Sequence, residues 1–115
     1  MKSKVKFLSS KIIIVTGEIE EARNYYDLMY IKCKCKYCRL YFRGGAEYLV
    51  YISLTSLAAN IPDKTFFRCN RTEVINLLYY GGWNKALNEV FLEDDATFKL
   101  SARNIAAFKK KIESM

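Results

Sequence analysis

Residues 28–54 read LMYIKCKCKYCRLYFRGGAEYLVYISL, and the fold turns on whether this stretch forms paired strands. Apolar and polar residues alternate on both sides of Gly44-Gly45-Ala46. A three-residue loop there pairs Arg43 with Glu47, Phe42 with Tyr48, Leu40 with Val50 and Cys38 with Ile52. All the apolar partners then lie on one face. A two-residue loop would oppose Phe42 to Glu47 and scramble the faces. The sequence therefore predicts a central β-hairpin over about 28–54. The alternation breaks once. Lys32, Lys34 and Lys36 hold even positions, Arg39 and Arg43 odd ones. A β-bulge or a tight turn near Lys36-Tyr37 restores a single polar face.

Within this stretch, residues 31–43 carry five basic residues, three cysteines and three aromatics. No acidic residue occurs between Leu28 and Ala46. The wider charge follows the same bias. Residues 1–43 hold ten Lys/Arg against four Asp/Glu, and residues 44–115 hold nine against eight. Most of the net charge of +7 therefore belongs to the N-terminal part. A field of that sign attracts phosphate backbones or acidic proteins. Lys32, Lys34 and Lys36 stand roughly 6.6 Å apart along a strand, compatible with successive phosphates. Arg39 and Arg43 add forked donors, and Tyr37 and Tyr41 offer rings on which bases stack. Lys32, Lys34, Lys36, Tyr37, Arg39, Tyr41 and Arg43 are thus the candidate nucleic-acid-binding residues. A lysine-lined edge strand that blocks aggregation has the same pattern.

The four cysteines are Cys33, Cys35, Cys38 and Cys69. Cys35-x-x-Cys38 has the knuckle spacing of a zinc site, and Cys33 and Cys69 would complete a four-thiolate shell around one structural zinc. A second Cys-x-x-Cys is missing, so buried or unpaired reduced thiols are the competing reading, with a disulfide or redox use as the third. The chain has no histidine, which removes serine–histidine and cysteine–histidine catalysis. Neither Gly-Gly pair has the spacing of a phosphate-binding loop. Glu93-Asp94-Asp95 reads as a hydrated acidic turn.

Outside the hairpin, the first strand is expected near Val5 to Val15, with a break at Ser9-Ser10. Lys11 interrupts the apolar run there, so it is no signal peptide. No run reaches the ~18 apolar residues of a membrane span. Thr65 to Cys69 reads as a short strand. Asn70 followed by Glu73 has the spacing of a capping box, which predicts a buried helix to about Tyr80 ended by Gly81-Gly82. A second short helix is expected over Trp83 to Phe91. Ser101 should cap a final helix with Ile105, Phe108 and Ile112 on one face. Val74, Ile75, Leu78, Ile105 and Phe108 should be buried together.

At 115 residues the chain suits one domain, with a hydrophobic fraction of 51% that supports a core. The fold class expected is α+β, an N-terminal antiparallel sheet with C-terminal helices packed on one face. The function expected is a small, non-enzymatic, basic binding protein of the cytoplasm whose sheet face meets nucleic acid or a ribonucleoprotein. The alternative is a protein–protein interaction module that meets an acidic protein surface. A phage or mobile-element inhibitor of a host nucleic-acid-binding complex is an example, and the AT-rich bias toward Lys, Ile, Tyr and Asn is in keeping with one.

Overall fold

Short turns cut the chain into antiparallel strands almost throughout. The structure, a computed structural model, describes residues 3–62 and 64–115. Strands β1 (Lys4–Phe7), β2 (Lys11–Thr16) and β3 (Ile19–Asn24) form a meander in the order β1-β2-β3. The break at Ser9-Ser10 separates the first two as expected. Gly17, with φ 62, makes the second turn possible without a side-chain clash.

A 3-10 turn at Tyr25–Asp27 leads into β4 (Leu28–Lys34), β5 (Tyr37–Phe42) and β6 (Glu47–Tyr51). The expected hairpin is present, and it is preceded by a further strand. The β5–β6 register differs from expectation by two residues. Leu40 faces Tyr48 and Cys38 faces Val50. The loop is Arg43-Gly44-Gly45, closed by Phe42 N–H donating to the Ala46 carbonyl at 2.8 Å. A shift of two preserves every face, because side chains alternate with period two. Phe42 and Tyr48 are diagonal neighbours with ring centroids 5.7 Å apart. The phase break near Lys36 is a tight turn at Cys35-Lys36, with Cys35 at φ 56.

Ser53 then caps helix α1 (Leu54–Asn60), its hydroxyl accepting from Ser56 N–H at 3.2 Å. Strands β7 (Phe66–Arg68) and β8 (Glu73–Asn76) complete a five-stranded sheet in the order β6-β5-β4-β8-β7. A 3-10 turn at Leu77–Tyr79 follows. Strands β9 (Tyr80–Asn84), β10 (Glu89–Leu92) and β11 (Thr97–Lys99) form a third sheet. The acidic residues Glu93-Asp94-Asp95 make the β10–β11 turn as expected. A 3-10 turn at Ala102–Asn104 opens into helix α2 (Ile105–Glu113).

This corrects the expected fold class. The protein is mostly β, in three sheets, and not a sheet with a helical C-terminal half. Two of the helices expected after Asn70 are strands. The physical reason lies in β8. Val74 packs into one core with Ile12, Ile14, Ile31 and Leu40. Its neighbour Ile75 packs into the other, with Val90, Leu92, Phe98 and Phe108. A central strand buried on both faces has a continuous apolar run that reads like a buried helix. The Asn70–Glu73 pair does form, Asn70 Nδ2 donating to Glu73 Oε1 at 2.8 Å. It closes the β7–β8 loop, where Asn70 Oδ1 also accepts from Thr72 N–H at 2.9 Å, an Asx turn in place of a helix cap. Gly81 and Gly82 lie inside β9. A Cβ on Gly81 would sit 2.9 Å from the Leu92 backbone, and one on Gly82 would run into the Phe91 ring.

The final helix does pack Ile105, Phe108 and Ile112 against the second core. The rings of Phe67, Tyr80 and Trp83 meet the Phe108 ring edge-on at 5.2–5.9 Å. Ser101, however, makes no side-chain capping bond. The expected common burial of Val74, Ile75, Leu78, Ile105 and Phe108 fails twice. Val74 serves the opposite core, and Leu78 is half exposed. Phe108→Ala is therefore expected to cost about 3–5 kcal/mol in urea denaturation. Leu78→Ala should change stability by no more than about 0.5 kcal/mol in the same assay.

Candidate nucleic-acid interface

The β4–β5 pairing sets the geometry of the basic stretch. Tyr30 faces Tyr41, Lys32 faces Arg39, and Lys34 faces Tyr37 across the two strands. Ile31, Leu40 and Cys38 point to the first core from the other side. The second core covers this outer face only near β8, where Ile75 opposes Tyr30. Over β5 and β6 the face is open. Lys32, Lys34, Tyr37, Arg39, Tyr41 and Leu49 line a groove of about 550 Å³ there.

Five of the seven candidates from the sequence therefore share one groove. Two do not. Lys36 is exposed in the turn at the tip of the hairpin. Arg43 sits in the loop at the other end of β5, its N–H donating to the Asp27 carbonyl at 2.7 Å. That is roughly 20 Å from Tyr37 at the rise of an extended strand. Part of this lining is already engaged with its neighbours. Lys32 Nζ lies 3.8 Å from Glu73, and Arg39 lies 3.7 Å from Glu47. Tyr41 is stacked on Tyr30 with centroids 4.4 Å apart, and Tyr37 meets Tyr51 edge-on at 5.1 Å.

A second basic cluster was not anticipated from the sequence. The β7–β8 loop lies beside the C-terminal end of β4, where Cys33 N–H donates to the Thr72 carbonyl at 2.7 Å. Arg68 braces that loop, donating to the carbonyls of Asn70 at 3.2 Å and Arg71 at 2.9 Å. The turn at Ala102–Asn104 docks on it. Asn104 Nδ2 reaches the Arg68 and Cys69 carbonyls at 3.3 and 3.2 Å, and Ser101 N–H reaches the Cys69 carbonyl at 3.0 Å. Arg68, Arg71, Arg103, Asn70, Asn104 and Ser101 line one cavity of about 480 Å³. The Ser101 hydroxyl is buried and has no hydrogen-bond partner among the described residues. Lys34 and Lys36 project from the same end of the central sheet. None of these five cations has an ion-pair partner among the described residues. The sequence signal was Arg68-Cys69-Asn70-Arg71 itself, which carries two arginines in four residues. It was hidden by the capping reading of Asn70.

The cysteines do not converge. Cys33 and Cys38 oppose one another across β4 and β5 and are joined as a disulfide, which departs from the expected four reduced thiols. The tight turn at Cys35-Lys36 creates that pairing. Cys35 is exposed, and Cys69 is buried in the second core. Among the described residues no group of three cysteine, aspartate or glutamate side chains is placed to hold a metal. The expected four-thiolate shell is thus not assembled.

The profile of the LytTr DNA-binding domain matches residues 21–113. Three antiparallel sheets with a basic end thus have a family, and the chain belongs to the LytTr DNA-binding domain family. The fold agrees. A solved LytTr DNA-binding domain of a response regulator from Bacillus cereus superposes with a TM-score of 0.75, covering 90% of this chain and 96% of that one at 16% identity. No curated protein sequence matches this chain. Family membership agrees with a non-catalytic, nucleic-acid-binding module. It lends nothing to the inhibitor alternative. Among the described residues no helix is long and apolar enough to cross a membrane.

The thiols give a direct check of this geometry. Burial pushes the Cys69 thiol up from an ordinary 9.0 to about 12, with Glu73 adding to the shift. At pH 8 an aromatic disulfide reagent should label Cys35 at once in the folded protein and Cys69 only on unfolding. The unfolded thiol loses its proton near 9 and the folded one near 12. Stability should therefore fall as pH rises through that window, and Cys69→Ala should remove this part of the pH dependence.

Proposed function

We propose that this domain binds duplex DNA with the end of the central sheet. The contact surface is the β4–β5 tip with Lys34 and Lys36, the β7–β8 loop with Arg71, and the 102–104 turn with Arg103. The carrying observation is the gathering of these cations, unpaired among the described residues, from three separate chain segments at one end of the central sheet. A two-stranded ribbon such as the β4–β5 tip is of a size that the major groove admits. Arg71 and Arg103 supply forked donors to phosphates or guanine edges. This reading moves the contact from the open sheet face, expected from sequence, to the sheet end. A DNA partner also fits the cytoplasmic setting expected from composition. In a reducing compartment Cys33 and Cys38 would be thiols, held opposite each other by the same strand register.

The test is a salt series of duplex binding by the full chain. Wild type should lose affinity steeply as salt rises, and bind duplex more tightly than a single strand of equal length. Arg71→Ala and Arg103→Ala should each lower the slope of log affinity against log salt by about 0.9. Lys34→Ala with Lys36→Ala should do the same for two contacts, whereas Arg43→Ala should leave the slope unchanged. Arg71 and Arg103 are exposed, so their replacement should leave the melting curve intact. Unchanged slopes for the Arg71, Arg103 and Lys34–Lys36 variants would overturn this interface.

A further inference from the structure

The groove over β5 and β6 shares only Lys34 with the DNA contact just described, and its construction has its own logic. We propose that it is a binding site for a small amphipathic anion, an aromatic or aliphatic body bearing a carboxylate, sulfonate or phosphate. Its volume of about 550 Å³ falls within the range of roughly 300–1,000 Å³ usual for small-molecule sites. The floor is apolar, made by the rings of Tyr37 and Tyr41 and by Leu49. Leu49 leaves 43% of its surface exposed on a sheet face that nothing in the fold covers. Three cations stand along the groove, Lys32, Lys34 and Arg39, and among the described residues no acidic side chain lines it. An apolar floor with cationic edges is complementary to a ligand that is apolar in body and negative at one end. A phosphate backbone has no use for such a floor, and an uncharged apolar ligand has no use for the cations.

The lining is also held in place before any ligand arrives. Tyr41 is fixed against Tyr30 and Tyr37 against Tyr51. Glu73 and Glu47 hold Lys32 and Arg39 at 3.8 and 3.7 Å without entering the groove. Side chains already ordered lose little freedom on binding, which favours affinity. Lys34 has no ion-pair partner among the described residues and remains free to meet the anionic group.

The probe is 8-anilinonaphthalene-1-sulfonate, an aromatic anion of suitable size, titrated against the folded full chain by fluorescence and by amide shift mapping. Saturable binding is expected, with shifts centred on residues 32–34, 37–41 and 49. Leu49→Glu should weaken it by about tenfold, because it places a carboxylate on the apolar floor beside the bound anion. Lys34→Ala with Arg39→Ala should weaken it by a similar factor, and the neutral analogue N-phenyl-1-naphthylamine should bind several-fold more weakly than the sulfonate. Replacing Lys109 and Lys110 on α2, two exposed cations away from the groove, should leave affinity unchanged. Shifts confined to other parts of the chain, equal affinity for the neutral analogue, or undiminished binding by Leu49→Glu would each overturn the proposal. Because shift mapping uses the wild-type chain, it decides the matter even if a variant fails to fold. The readout involves no DNA, so it is separate from the test of the DNA interface.

Discussion

The buried carboxamide of Asn76 is the joint on which the two halves of this molecule turn. Its Nδ2 donates to the Leu28 carbonyl at 2.9 Å, where β4 begins. Its Oδ1 accepts from the Thr65 hydroxyl at 2.8 Å and from Leu78 N–H at 3.0 Å. One side chain thus ties the start of β4, the entry to β7 and the turn into β9. A fully buried amide is tolerated only when its polar groups find partners, and here the partners come from three places. The arrangement fixes where the chain stops serving the central sheet and starts building the third one.

That joint makes the central sheet an internal wall with a core on each side. The first core fills the space beneath β1–β3 and α1, and the second fills the space beneath β9–β11 and α2. The second is too small to cover the whole outer face. It ends near Tyr30, and the face over β5 and β6 stays open. The groove is therefore a consequence of unequal covering layers. The basic end has a different origin. It forms where turns from β4–β5, β7–β8 and 102–104 meet, joined by the backbone bond from Cys33 to Thr72 and by the Asn104 side chain on the Arg68 and Cys69 carbonyls.

Charge shows how far the folded molecule departs from its linear order. The surplus of positive residues lies in the first 43, and it drew the sequence reading to Lys32–Arg43. In three dimensions Lys32 and Arg39 face carboxylates from Glu73 and Glu47, and Arg43 is carried to the opposite end of the sheet. Among the described residues the arginines of the C-terminal part, where acids and bases almost balance, have no ion-pair partner. Net charge along a chain describes long-range attraction. Local pairing decides which cations are left to make contacts.

The sequence alone determined the hairpin, its faces, the position of the phase break, the acidic turn before β11 and the apolar stripe of the last helix. Each depends on neighbours close in the chain, where period two or period 3.6 shows directly. It also removed histidine-based catalysis and favoured a basic binding domain. Tertiary structure decided the rest. Whether Val74-Ile75 is one face of a buried helix or two faces of a central strand depends on a second core drawn from residues 77–112, and local pattern is silent on that. Asn70 followed three residues later by Glu73 suits a helix cap and a closed loop alike, and only the fold selects the side-chain pair that closes the β7–β8 loop. The exact β5–β6 register escaped because slips of two residues keep all faces, and only the closing bond from Phe42 to Ala46 separates them. The basic end was invisible for the same reason as the second core. Its members lie up to 69 residues apart, from Lys34 to Arg103, and only the packed sheets bring them together.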